Sequence, residues 1–270
     1  MEKLEKVFLI GAMKSGTTSL YDLLIQHPEI CPCTIKEPEY FSQSVGPREL
    51  KEKKYEDLFE PDFESHKYLL DASTGYTKHP RENGVPERIK AYGIDHPYLI
   101  YILRDPIDRI ESHYNFMRID SSWKKEIDDQ ALIDTSNYFL QLERYQAVFK
   151  PMNLLLLDFV ELKKDPQKVC SKIFEFIGAP DLTIDLSDGV KNVTPPSNRK
   201  GRKIIDFAKS FSKMIPPSIQ KLGRETVNKV FTPEKTTLSE EQKIKIRGKL
   251  APDMHKLEEN YGIDISRWGF

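Results

Sequence analysis

The sequence predicts an α/β fold of three layers, a central and mostly parallel sheet flanked by helices, and two observations lead there. Short apolar runs recur at Val7–Ile10, Tyr68–Leu70, Tyr98–Leu103 and Leu154–Leu157. Each is continuous rather than alternating, the pattern of strands covered on both faces. Between these runs lie segments of helical periodicity, and strands alternating with helices assemble as parallel sheets through right-handed crossovers. With 270 residues the chain can bury a substantial core, and we expect one domain over 1–270.

Taken in order, Val7–Ile10 is a β-branched and aromatic run that leads into "GAMKSGTTS". From Thr17 to His27, Leu20, Leu23 and Leu24 recur at helical spacing until Pro28 closes the segment. Further helices are expected over Pro106–Arg118, Ser136–Phe149 and Pro166–Ile177. Asp105 precedes the first of these as a capping residue, with Pro106 at a favoured first-turn position. After Gly178 the pattern changes to helices and loops, joined by the basic connection "NVTPPSNRKGRK". The last helix opens with Ser239 and Gln242 at capping-box spacing and ends near Tyr261 and Gly262. It is expected to pack on the sheet, with "ISRWGF" tucking Trp268 against the body.

Composition narrows the function classes. At 39% hydrophobic and 31% charged residues the chain reads as globular with a well-hydrated surface. A formal net charge of -1 argues against a broad nucleic-acid surface, though a local anion pocket fits. No run approaches the ~20 apolar residues of a membrane span. The charged segment Met1–Lys6 runs straight into the first strand and leaves no room for a signal or transit sequence, so a cytoplasmic location is expected. Cys31, Cys33 and Cys170 form neither a disulfide framework nor a zinc spacing and are read as reduced thiols. Oligomeric state is left open.

The chemistry begins at the turn after the first strand. Strand, glycine-bounded turn and helix make a P-loop-like cradle, in which the amides at a helix N-terminus and the macrodipole favour an anion. Its candidate members are Ser15, Gly16, Thr17, Thr18 and Ser19, with Gly16 letting backbone approach a ligand and the hydroxyls adding hydrogen bonds. In the NTPase loop a lysine directly follows the second glycine and reaches the β and γ phosphates. Here Thr17 stands in that place and the charge sits earlier, at Lys14. A lysine before the helix suits a single 5′-phosphate whose bridging oxygen must be neutralised as a group departs.

The pattern G-x-x-K-S-G-T-T-S-L resembles the sulfotransferases that use 3′-phosphoadenosine 5′-phosphosulfate, in their bacterial and heparan-sulfotransferase-like branch. A second segment, "YLIYILRDPIDRIESHY", is similar to the family's second motif, a strand ending in arginine followed by a helix carrying serine eight residues later. That resemblance implies that Arg104 and Ser112 bind the donor's 3′-phosphate, and a guanidinium does offer phosphate bidentate hydrogen bonds. A third stretch resembles the family's K-G-R loop and implies nucleotide contacts for Lys200, Gly201 and Arg202. The implied enzyme is a sulfotransferase of EC 2.8.2 type that releases 3′,5′-adenosine bisphosphate and needs no metal.

In "CTIKEPEYFS" the resemblance places a general base at Glu37, with Lys14 acting on the leaving oxygen. In-line sulfuryl transfer requires the acceptor hydroxyl or amine to lose a proton, which a carboxylate can take, and a positioned ammonium stabilises charge on the bridging oxygen. Pro38 is expected to hold Glu37 extended. Glu39 is the second candidate base, followed by Asp71; His113 reads as structural. Ala72 stands where the heparan branch often carries lysine, and the late cysteine pair of secreted relatives is missing, so a heparan-like acceptor is not expected. "FSQSVGPRELKEKKYEDLFE" and the region Trp123–Phe149 are expected to wall the acceptor pocket, whose occupant (small molecule, natural product or carbohydrate) the residues do not choose. Two other readings compete: a P-loop kinase using ATP and magnesium with Asp158 in "LLLLDF" as metal holder, and a non-catalytic nucleotide or anion sensor.

Overall fold

The computed structural model describes residues 4–118, 123–187 and 235–270. β1 (Glu5–Gly11) is buried at every position after Glu5. It is the middle of a five-stranded sheet of order β2-β3-β1-β4-β5, completed by β2 (Ile30–Pro32), β3 (Tyr68–Asp71), β4 (Tyr98–Leu103) and β5 (Asn153–Asp158). Every pairing is parallel, as the continuous apolar runs predict.

Alternate side chains of each strand enter opposite cores, because successive Cβ atoms of a strand point to opposite faces. Val7, Leu9, Ile100 and Ile102 pack with α1 (Thr17–Leu24), α6 (Phe159–Lys164) and α7 (Pro166–Ile177). Phe8, Ile10, Leu99 and Tyr101 pack with α2 (Val85–Ala91), α3 (Pro106–Met117), α4 (Gln130–Asp134), α5 (Tyr138–Val148) and α8 (Glu240–Tyr261). The three expected layers are therefore present. Four elements escape the sequence reading: β2, α2, α4 and α6 are each no longer than seven residues, too short for a period to register.

The caps follow their sequence signals. Asp105 accepts from the N–H groups of Ile107 and Asp108, Ser239 and Gln242 close a capping box, and Gly262 ends α8 at φ 65°. The last helix departs from expectation in one respect, since its main packing partners are α5 and α3. Trp268 is buried at 4% exposure, with its ring 6.1 Å from that of Tyr138 and its carbonyl accepting from Arg247 Nε at 3.1 Å. Trp268→Ala is expected to destabilise the fold by about 3–5 kcal/mol, measured as a lowered denaturation midpoint. The cysteines are free and buried, and among the described residues no helix is long and apolar enough to cross a membrane.

Candidate active site

From β1 the chain crosses toward the β2 and β3 edge, whereas from β4 it crosses to β5. Connections that leave neighbouring strands in opposite directions open a crevice at their carboxyl ends, where α/β sheets bind ligands. The Lys14 loop follows β1 and Arg104 follows β4, so both expected phosphate-binding elements stand at that crevice. They meet there: Arg104 Nη1 donates to the Lys14 carbonyl at 2.7 Å.

The loop is built as an anion cradle. Gly16, at φ 86°, sits at the N-cap of α1, and no side chain caps the helix. Its first amides are thus unclaimed by a cap. A Cβ on Gly16 would lie 3.0 Å from the Phe159 ring. Ser15, Thr17 and Ser19 are buried, while Thr18 is exposed. Six side-chain polar atoms among the described residues are buried without a hydrogen-bond partner, and two of them, Ser15 Oγ and Arg104 Nε, belong to this crevice. Such groups cost stability unless something completes them, and phosphate oxygens at the crevice would do so. The residues present therefore fit a nucleotide phosphate.

Arg104 is further fixed from two sides. Its guanidinium lies 4.8 Å from the Phe159 ring centroid, and the Tyr138 hydroxyl donates to its carbonyl at 2.7 Å. Ser112 is half-buried on α3. Lys14 has φ 72°, and its ammonium lies 4.2 Å from the centre of the Phe116 ring. Burial, then the nearby Arg104 charge, holds the ammonium down to about 8, against an opposing pull from Glu37.

Glu37 comes from a separate segment, between β2 and β3. It is half-buried, and its charge acts on Lys14, Lys36 and Lys78. Pro38 does not hold it extended, because Glu37 has φ 55°. The preference of a pre-proline residue is overridden by the loop that ties down its neighbours. Among the described residues only Lys14, Glu37 and Glu39 combine a side chain with positive φ. Such conformations cost about 1 kcal/mol or more and gather at sites the surroundings over-determine.

The other candidate bases are occupied. Glu39 is 6% exposed, and its two oxygens accept from Gly75 N–H and Ser42 Oγ–H, each at 2.7 Å. Asp71 is fully buried and accepts from Ser73 Oγ at 2.6 Å, Tyr76 OH at 2.7 Å and Tyr55 OH at 3.3 Å. His113 Nδ1 lies 3.1 Å from Nη1 of buried Arg109. Arg109 can only donate, so Nδ1 accepts, and burial with that cation pushes His113 well below its ordinary value. Asp158, the magnesium holder of the kinase reading, caps α6 through Val160 N–H at 2.7 Å and pairs with Arg267. Among the described residues no group of three or more His, Cys, Asp and Glu could hold a metal ion. Lys200, Gly201 and Arg202 lie outside the described residues.

Three residues go unmarked by the sequence motifs: Phe116 and Phe159, whose rings lie against Lys14 and Arg104, and Lys78, which feels the Glu39 and Glu37 charges. Phe116 had a usable signal, since it lies four residues after Ser112 on the same helix and therefore on the same face. Phe159 follows the last strand directly, and Lys78 carries no local signature.

Known proteins resemble this chain both in sequence and in fold. The sulfotransferase domain profile matches residues 4–200. The human bifunctional heparan sulfate N-deacetylase/N-sulfotransferase 3 is 28% identical over 202 residues, covering 66% of this chain and 22% of that protein. The mouse bifunctional heparan sulfate N-deacetylase/N-sulfotransferase 4 is 28% identical over 203 residues, with the same coverage. The matched part is therefore 22% of each of these relatives. A sulfotransferase from Alicyclobacillus acidocaldarius, solved by crystallography, superposes with a TM-score of 0.68 at 22% identity over the whole of both chains. That likeness concerns the fold.

Proposed function

As the chain belongs to the sulfotransferase domain family and is in that sense a sulfuryl-transferring enzyme, we propose that its donor is 3′-phosphoadenosine 5′-phosphosulfate and its general base Glu37. The observation that carries the reading is the pair of buried, unpartnered groups, Ser15 Oγ and Arg104 Nε, at the crevice between β1 and β4. The amides of Ser15 to Ser19 would take the 5′-phosphate, and Arg104 with Ser112 the 3′-phosphate. Lys200, Gly201 and Arg202 remain proposed phosphate contacts on sequence grounds.

When bound, the donor supplies an activated S–O bond to its 5′-phosphate. Glu37 takes the proton from the acceptor O–H or N–H as the acceptor oxygen or nitrogen bonds to sulfur. Lys14 neutralises the charge gathering on the phosphate oxygen as its bond to sulfur breaks. The products are the sulfated acceptor, 3′,5′-adenosine bisphosphate and a proton left on Glu37. The acceptor is proposed as a hydroxyl or amine of a small molecule, natural product or carbohydrate. We place the enzyme in the cytoplasm as part of the same proposal.

Arg104 offers the direct test. Wild-type protein is expected to bind 3′,5′-adenosine bisphosphate about 10–100-fold more tightly than adenosine 5′-monophosphate, the value of hydrogen bonds to one charged phosphate. In Arg104→Ala that preference should shrink to near unity, as read by isothermal titration calorimetry. Equal affinity for both nucleotides in the wild type would contradict the assignment.

A pH dependence follows from Lys14. Its ammonium, held down to about 8, is charged below that value and neutral above it. An anionic ligand favours the charged form, so affinity for adenosine bisphosphate holds between about pH 7, above which its phosphates are largely ionised, and about pH 8, and weakens by up to about tenfold per pH unit above that. Lys14→Arg, which stays charged, should flatten the profile.

A further inference from the structure

The loop that carries Glu37 is anchored through the carboxylate two residues beyond it. Besides the bonds from Gly75 and Ser42, the backbone N–H of Glu39 donates to Ser73 Oγ at 2.9 Å. Ser73 in turn donates to Asp71 at the end of β3, at 2.6 Å. Glu39 thereby links the loop to the sheet by a continuous set of buried hydrogen bonds. Its seat is shaped to fit: a Cβ on Gly75 would fall 2.1 Å from Glu39 Oε2, and one on Gly46 2.6 Å from Glu39 Cβ. The loop downstream is pinned as well, where Gln43 and Ser44 N–H groups donate to Glu82 at 2.5 and 2.7 Å.

We propose that Glu39 is the positioning residue for Glu37, its buried hydrogen bonds holding Glu37 in the left-handed conformation that keeps its carboxylate within electrostatic reach of Lys14. The inference rests on the reading of Glu37 as the base. The role is geometric and needs no charge: a protonated carboxyl or a glutamine still accepts from Gly75 N–H at one atom and can donate to Ser42 Oγ from the other. Burial, which pushes Glu39 up to about 7, agrees with a group that serves in either form.

The readout is Lys14 itself, since Glu37 is the carboxylate that raises its ionisation. Side-chain NMR of ¹³C-lysine-labelled protein, with the Lys14 signal assigned from Lys14→Arg, gives its titration without any acceptor. Glu37→Gln should lower the Lys14 midpoint by about half a pH unit. Glu39→Ala should lower it equally, whereas Glu39→Gln should keep it at the wild-type value. Gly75→Ala, which retains the Glu39 carboxylate but fills its seat, serves as the second disruptive variant should Glu39→Ala fail to fold. A Lys14 midpoint unchanged in folded Glu39→Ala or Gly75→Ala, with the Glu37→Gln shift present, overturns the positioning role alone. No shift in Glu37→Gln overturns it together with the electrostatic influence of Glu37 on Lys14.

Discussion

Glu37→Gln is expected to lower kcat by about 10²–10⁴-fold with any acceptor the wild type sulfates, while leaving affinity for 3′,5′-adenosine bisphosphate within about twofold. The amide matches the carboxylate in size and accepts hydrogen bonds, but it cannot take a proton at neutral pH. In energetic terms the loss is about 3–5 kcal/mol of transition-state stabilisation. The split between turnover and nucleotide affinity is the informative part, because the proposed donor-binding groups sit on the β1 and β4 loops while Glu37 belongs to a separate segment between α1 and β3. The competing carboxylates sharpen the expectation. Glu39 and Asp71 have their oxygens engaged by Gly75, Ser42, Ser73, Tyr76 and Tyr55, so neither can replace the lost base without breaking the loop's own bonds. Steady-state kinetics beside calorimetry on the same preparations would check it, and a variant with wild-type kcat would remove Glu37 from the mechanism.

Lys14→Ala is expected to reduce kcat by about 10²–10³-fold, the cost of deleting one preorganised group at an oxygen that gains charge. Affinity for the nucleotide product should fall as well, because the proposed role sets the ammonium against the phosphate in product and transition state alike. The site is costly to build for a lysine: the residue stands at φ 72°, and its ammonium is held down to about 8 by burial and by Arg104. Lys14→Arg restores the charge but not the compact donor and should recover only part of the turnover. Together the two variants separate charge from shape, by kcat at saturating donor.

Much of this organisation is legible in the residues, and the reasons are physical. Strands β1 and β4 read clearly because parallel strands covered on both faces must be continuously apolar. The Asp105, Ser239 and Gly262 caps read clearly because backbone demands at helix ends are local. The proposed phosphate loop belongs to the same class, its strand, glycine and helix being consecutive. What depends on tertiary closure is not legible. Glu37 takes positive φ despite the extended bias before Pro38, and its neighbour Glu39 is tied to distant residues, donating from its N–H to Ser73 and accepting from Gly75 and Ser42. The Phe116 ring beneath Lys14 and the Phe159 ring beneath Arg104 come from segments far apart in sequence, and only the sheet order brings them to one crevice.

The central claim is that this crevice holds the bisphosphate nucleotide through the Lys14 loop and Arg104. Calorimetric titration of folded wild-type protein with 3′,5′-adenosine bisphosphate, with and without magnesium, tests it most directly. The account predicts saturable one-site binding that magnesium leaves unchanged and that Lys14→Ala weakens. Absence of binding, or binding only of ATP in the presence of magnesium with Lys14→Ala unaffected, would contradict it.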